Sequence, residues 1–341
     1  MPGTSAATRE VSIETRLFQD RDEPAVVELL QAAFGEWPRE IEGSDRGEFF
    51  RWKHSGGPFG RSIGVVALVE EAIVGFFAYL PWLLRSGTQT VRTMRVVDLA
   101  VHPQHRGVGA PARMIAEGRR HLAQEIAFIW SNPNELSYAR ALQTGQGRAG
   151  IVPRFVGLGT LRYGTLARTW RASTGAAVAP PVEAASAARV LGEDGAEQLL
   201  EARHEAASNR LRTAIDIEYL RWRYGHFDEY RAVSANGDPA SGIAIFRARR
   251  SRRGRLAQVC ELLVPANDHR ARRDLLKQVR CAAPVEMITC VFPSSRDAVR
   301  CGFLKAPGGT VLTVRAVDEP HVPDPSRAAS WALSLGDLEL V

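Results

Sequence analysis

Cysteine is scarce in this sequence. The 341 residues contain four, Cys260, Cys281, Cys290 and Cys301, with no CxxC pair and no histidine cluster at zinc-ligand spacing. That argues against a disulfide-built scaffold and a structural zinc site, and no metal is expected. Long apolar runs are also missing. Stretches such as Ala72 to Leu84 are too short or too interrupted to cross a bilayer, so no membrane association is expected. The opening segment MPGTSAATREVS lacks the apolar core of a secretory signal, and the chain reads as cytoplasmic. Neither the GxxxxGK[ST] phosphate loop nor the GxGxxG dinucleotide fingerprint occurs. No aromatic-interleaved basic tract marks a nucleic-acid module, although the formal charge is +6. The arginines are dispersed along the chain. A basic surface still favours anionic partners, and a cofactor carrying several phosphates meets that condition as well as a nucleic acid does.

What is present is ordinary globular composition, with 45% hydrophobic and 24% charged residues and enough length for two domains. The sequence repeats itself. Glu48-Phe49-Phe50-Arg51-Trp52-Lys53 returns as Glu218-Tyr219-Leu220-Arg221-Trp222-Arg223, an offset of 170. Asp98-Leu99-Ala100-Val101 returns as Glu261-Leu262-Leu263-Val264, an offset of 163. Repeats at this distance indicate a duplicated domain. Between them, Thr169–Arg189 is rich in Ala, Ser, Thr and Pro, which marks a linker. The expected division is a tail at 1–10, a first domain at 11–165, a linker at 166–190, a second domain at 191–318 and a tail at 319–341.

Hydrophobic periodicity gives the first domain the order strand, two helices, three strands, helix, strand, helix, strand, with the closing segment Ile151–Arg162 forming one or two strands. The second domain repeats that order and closes with a strand at 310–317. The fold class expected is α/β with mixed, mostly antiparallel sheets flanked by helices.

The chemically informative segment is VVDLAVHPQHRGVGAPARMIAEGRRHL, residues 96–122. An apolar strand ends at His102-Pro103, a turn carries Gly107 and Gly109, and a helix follows at once. Unpaired N–H groups at a helix N-terminus, together with the helix dipole, make an anion site, and a glycine lets a phosphate approach the backbone. DLAVHPQHRGVGA resembles the cofactor segment of the GCN5-related N-acetyltransferase (GNAT) superfamily, whose signature is [Q/R]-x-x-G-x-[G/A]. Two registers fit: Gln104-x-x-Gly107-x-Gly109, and Arg106-x-x-Gly109-x-Pro111. The second is preferred because it aligns the following helix. The resemblance implies an acyl-CoA cosubstrate, acetyl-CoA or a longer acyl-CoA. Leu99, Ala100 and Val101 would face its pantetheine arm, and the turn Arg106, Gly107, Val108, Gly109 and Ala110 would hold its pyrophosphate. Trp130–Tyr138 resembles the family's second cofactor-facing helix start, which brings in Asn134.

The resemblance also implies two tandem GNAT-like domains. The second turn, Pro265 to Arg270, has no glycine and carries Asp268, so that copy is expected to have lost the cofactor. The implied activity is transfer of an acetyl or short acyl group to the primary amine of a small molecule, with an amino sugar as one candidate, by a monomer or homodimer. A protein or peptide amine, and a non-catalytic acyl-CoA-binding module, are the other readings. Asp98, a charge inside an apolar run, is a candidate base or amine anchor, with a salt bridge to Arg95 or to a neighbouring helix as the structural alternative. The position where this family often carries an acidic tyrosine is Ala141. Tyr138, one helical turn earlier, is the candidate substitute, with water as the alternative. By simple alternation Val97, Leu99 and Val101 share one face of the strand.

Overall fold

The structure is a computed structural model. It describes residues 12–35, 37–38, 45–107, 109–159, 183–205, 208–251, 254–265, 268–316 and 323–338. The expected tail at 1–10, most of the 166–190 segment, part of the C-terminal tail, and Val108 lie outside the described residues.

The first half folds largely as its periodicity dictates. Strand β1 (Glu14–Leu17) leads to helices α1 (Glu23–Phe34) and α2 (Arg46–His54). Pro24 sits in the first turn of α1, where its missing N–H costs little. The Asp45 carboxylate caps α2 by accepting from the Glu48 N–H at 2.7 Å. Then come β2 (Ile63–Val69), β3 (Ala72–Ser86) and β4 (Gln89–Val101), an antiparallel meander. Helix α3 (Ala110–Arg120), β5 (Phe128–Ser131) and α4 (Glu135–Gln143) follow. The two short strands β6 (Gly147–Val152) and β7 (Phe155–Leu158) end this half.

In the second half the described strands are β8 (Ala185–Ser186), β9 (Arg212–Thr213), β10 (Arg231–Ser234), β11 (Ile243–Ser251), β12 (Gly254–Leu263), β13 (Met287–Cys290), β14 (Phe303–Lys305) and β15 (Thr310–Ala316). Its helices include 194–205, 217–225, 269–282, 295–300 and a terminal turn at 335–338.

Two mixed sheets result. The first runs β1-β2-β3-β4-β5-β15-β6, with β9 joined to β3; the second runs β14-β7-β13-β12-β11-β10-β8. Among the described residues each contains one parallel pair, β4 with β5 and β12 with β13. The sheets do not respect the halves of the chain. Strand β15, from near the C-terminus, lies between β5 and β6 of the first sheet. Strand β7, from the first half, lies between β13 and β14 of the second. The expected closing segment, one or two strands over 151–162, is two strands as far as it is described, and they separate, β6 staying in the first sheet and β7 leaving for the second.

The cores follow this interleaving. One cluster packs α1 and α2 against the first sheet and continues into Tyr219, Leu220 and Tyr224 of the second half. A second packs α3, through Met114 and Ile115, onto the opposite face of the first sheet. A third lies beneath the 269–282 helix. At the junction, Trp52 and Trp222 stack at 4.9 Å. The Trp52 indole donates to the Trp222 carbonyl (2.8 Å) and the Trp222 indole donates to the Trp52 carbonyl (3.0 Å). The repeated tryptophans thus meet each other in a reciprocal contact. Among the described residues, no helix is long and apolar enough to cross a membrane.

Candidate active site

Strand β4 is bent where the functional segment begins. Asp98 adopts φ +51°, and the β3–β4 register shifts between Phe76 and Ala78, so two residues of β4 oppose one of β3. This is a β-bulge. It resets the alternation of side chains. Val96, Leu99 and Val101 pack toward α3, whereas Val97 and Ala100 pack in the core beneath α1 and α2. The face shared by Val97, Leu99 and Val101 under simple alternation is therefore not formed; the extra residue puts Val97 on the other side.

The bulge also frees an edge. Strands β4 and β5 pair only over Thr93–Arg95 and Phe128–Trp130, so beyond Arg95 they run without a shared ladder. A groove of about 700 Å³ opens there. Along one side lie Asp98, Leu99, Ala100, Val101, Arg106, Gly107 and Pro111; along the other lie Asn132, Asn134, Ser137 and Ala141. Asn134 caps α4, its side chain accepting from the Ser137 N–H at 2.9 Å. The C-terminal end of that helix is held by guanidinium groups from both halves. Arg315 of β15 donates to the Thr144 carbonyl at 2.9 Å, and Arg119 of α3 donates to the same oxygen. The groove floor is a closed hydroxyl–amide network. The Ser131 and Thr313 hydroxyls meet at 2.7 Å and lie 2.9 and 2.6 Å from the Gln146 amide oxygen, so one hydroxyl donates to the other while that one donates to the amide.

At the other end is the glycine turn. Gly107 has φ +89° and Gly109 φ +81°, the left-handed region that favours glycine. A Cβ at either would meet nothing within 4 Å, so the space beside both backbones is open. Gly109 is the N-cap of α3, and Pro111 removes one N–H from its first turn. Of the residues expected at the cofactor, Leu99, Ala100, Val101, Arg106, Gly107 and Asn134 line the groove. Gly109 is exposed and Ala110 is buried, and neither is among the groove-lining residues.

The Asp98 carboxylate is already engaged. Lys53 Nζ lies 3.0 Å from one oxygen and 2.9 Å from the other, and His54 Nε2 lies 3.0 Å from the second. His54 Nδ1 faces the Ser62 hydroxyl at 3.1 Å. Burial alone would raise the Asp98 carboxyl, but the Lys53 ammonium and the His54 hydrogen bond outweigh it and hold the group well below the usual carboxylate range. Burial depresses His54 despite its anionic neighbour, which leaves a neutral ring. Both contacts are satisfied if Nε2 carries the proton and donates to Asp98 while Nδ1 accepts from Ser62. Sequence reasoning had left the partner open between Arg95 and a neighbouring helix; it is the helix α2, directly after the repeated tryptophan. The corresponding positions of the repeat keep a related contact: the Tyr224 hydroxyl donates to Glu261 at 2.7 Å.

Arg95 was not among the expected site residues, yet it lines the groove. It is 2% exposed and lies between Trp82 and Trp130, its guanidinium carbon 5.2 and 4.7 Å from their rings. Nη2 donates to Asn132 Oδ1 at 2.6 Å, while Nε and Nη1 are buried with no hydrogen-bond partner. Burial pushes this guanidinium down to about 10. Its position inside an apolar strand was the available sequence signal. Tyr138 is half-buried on α4 and is not among the groove-lining residues; Ser137 and Ala141 of the same helix are. Among the described residues, no group of three or more His, Cys, Asp or Glu side chains is placed to hold a metal.

The acetyltransferase (GNAT) domain family matches residues 14–142 of this chain, which span the α3 turn, the β4 bulge and all but one residue of α4. Three solved structures are similar over most of its length. A probable N-acyltransferase of unknown function from Enterococcus faecalis V583 has TM-score 0.61 at 15% identity, covering 90% of this chain and 73% of that one. A GCN5-related N-acetyltransferase from Anabaena variabilis ATCC 29413 has TM-score 0.60 at 13% identity, with coverages of 90% and 73%. One from Kribbella flavida has TM-score 0.61 at 14% identity, with coverages of 92% and 74%. No curated protein matches the sequence. At these identities the structural likeness shows the fold; the family match identifies a GNAT domain at residues 14–142.

Proposed function

We propose that this GNAT domain transfers an acetyl or short acyl group from acyl-CoA to the primary amine of a small molecule. The observation that carries the reading is the continuous groove from the Gly107–Gly109 turn to the opened ends of β4 and β5. Its two ends suit the two parts of acyl-CoA. The open glycine turn at the N-terminus of α3, with Arg106 beside it, suits the pyrophosphate. The unpaired edge of β4 at Leu99–Val101 offers backbone groups to the amides of the pantetheine arm. Gly107, Gly109 and Asn134 complete the cofactor set, with Ala110 contributing only backbone.

In this reading the neutral amine attacks the thioester carbonyl carbon in a ternary complex. The C–N bond forms, the C–S bond breaks, and the oxyanion is stabilised by backbone N–H groups at the β4 edge. Asp98 is too firmly held as an anion to be an effective base near neutral pH. Its role is to fix Lys53, His54 and the bulge, and to set the potential at the bend. Water in the groove accepts the amine proton and returns one to the thiolate, since Ala141 occupies the place where a phenol would act. That same missing phenol is the one observation favouring a non-catalytic acyl-CoA-binding module.

The test is release of free thiol from acetyl-CoA with a panel of amines including amino sugars and peptides, together with calorimetry of CoA binding. Amine-dependent thiol release supports the transferase. CoA binding without turnover on any amine supports the binding module, and absence of CoA binding overturns both.

A further inference from the structure

The second half contains a cleft that the transferase reading does not use. Strands β12 and β13 pair in parallel over only three steps, Leu256–Gln258 with Met287–Thr289. These β12 positions stand 163 residues after Thr93–Arg95, the paired steps of β4. Beyond them the strands part, as β4 and β5 do, and a cleft of about 470 Å³ opens. No glycine turn serves it, so the sequence gives no reason to place the same cofactor there.

Its lining is chemically distinctive. Four arginines face it: Arg85 from β3, Arg203 from the 194–205 helix, Arg210, and Arg212 from β9. All four are half-buried, and among the described residues none forms an ion pair. The Arg210 guanidinium donates to carbonyls, those of Ala329, Pro293 and Trp331. Arg203 donates to the Val264 carbonyl at 2.8 Å. Arg212 keeps a buried Nη2 with no partner at all. Burial, and then the neighbouring Arg85, depress Arg212; burial, and then Arg212 and Arg272, press Arg203 down to about 10 against the opposing pull of Glu261.

Two acidic side chains, Glu261 and Asp337, also line the cleft, but both are occupied. Glu261 accepts from the Tyr224 and Ser334 hydroxyls at 2.7 and 2.8 Å, and burial lifts its carboxyl to about 8. Asp337 accepts from the Thr213 hydroxyl and the Ser334 N–H at 2.6 and 2.7 Å. Between the guanidinium groups the wall is apolar, with Ile215, Val259, Leu263, Phe292 and Leu333. Gathering like charges in a partly dehydrated cleft is unfavourable unless an anion joins them.

We propose that this cleft is a second ligand site, for a small organic anion with a carboxylate or phosphate head and an apolar body. The head meets Arg85 and Arg212, and the body lies along the Val259–Phe292 wall. This inference does not depend on the transferase reading.

The test is calorimetry on the full chain with hexanoate, hexyl phosphate, hexanol and inorganic phosphate, each with and without saturating CoA. Saturable one-to-one binding of hexanoate or hexyl phosphate, at least tenfold tighter than hexanol and retained with CoA present, supports the site, and the tighter of the two identifies the head group. Arg85→Gln with Arg212→Gln should weaken that binding at least tenfold and leave CoA affinity unchanged. If the double variant does not fold, Arg85→Gln alone, at a half-buried position, should weaken it at least threefold. The proposal is overturned if neither amphiphile binds at millimolar concentration, if hexanol binds as tightly, if CoA competes, or if the folded variant binds as the parent does.

Discussion

Asp98→Asn is the most informative single change. Asparagine keeps the shape, tolerates the positive φ at the bulge, and can still accept from His54, but it removes the charge that faces Lys53. The two side chains are 9% and 4% exposed, so the Lys53 ammonium is stranded away from water. Removing one member of a buried pair costs about 3–5 kcal/mol. An unfolding entropy near 2.1 cal/mol/K per residue makes roughly 0.7 kcal/mol/K for a chain of this size, so the loss should read as about 4–7 °C in Tm if unfolding is a single transition.

Adding Lys53→Met removes the stranded ammonium and should recover much of the loss, giving a coupling of about 2 kcal/mol in a double-mutant cycle. The pH dependence has a definite sign. The Asp98 carboxyl is depressed in the folded state, so its contribution is fully present above the ordinary carboxylate range and fades as pH falls through and below it. Parent and Asp98→Asn should therefore differ fully at pH 7 and converge in acid. Scanning calorimetry of the four proteins from pH 3 to 7 measures both effects. A coupling below about 0.5 kcal/mol, or a difference that grows in acid, would refute the buried-pair argument.

Gly109→Val forces a β-branched residue into the left-handed region at the N-cap of α3, at a cost of about 1–2 kcal/mol, and places side-chain bulk beside the amides; CoA affinity by calorimetry should fall more than tenfold while the circular dichroism spectrum is kept. Tyr138→Phe should leave kcat within about twofold of the parent, since Tyr138 does not line the groove; a hundredfold loss would restore it as the acid. Trp222→Phe leaves the Trp52 carbonyl without its donor and should cost about 1–2 kcal/mol, whereas Trp52→Ala, which empties a stacked and buried position, should cost about 3–5 kcal/mol; denaturant titration separates them.

Much of the local structure was readable because the relevant signals are local. Apolar spacing located α1, and the strand–glycine–helix succession located the α3 turn. The repeated tryptophans announced a duplication, but a repeat does not say that its two copies touch, and here their indoles bond each other's carbonyls. The bulge at Asp98 was not readable, since an aspartate gives little indication of positive φ and its effect is to change which face the next residues occupy. The burial of Arg95 was not readable, since it depends on Trp82 and Trp130, which reach it from neighbouring strands. The exchange of β7 and β15 left no mark either. Their side-chain patterns suit any half-buried strand, and partner choice depends on contacts more than a hundred residues away.

That exchange has a consequence for how the molecule can be divided. A nick between Leu158 and Ala185 would leave a front fragment holding β7 of the rear sheet and a rear fragment holding β9 and β15 of the front one. Such pieces should stay together through size-exclusion chromatography, while either expressed alone would present an unfilled slot in its sheet. A gene chimera joined at this point would face the same demand, since each parent must supply the rung missing from the other's ladder.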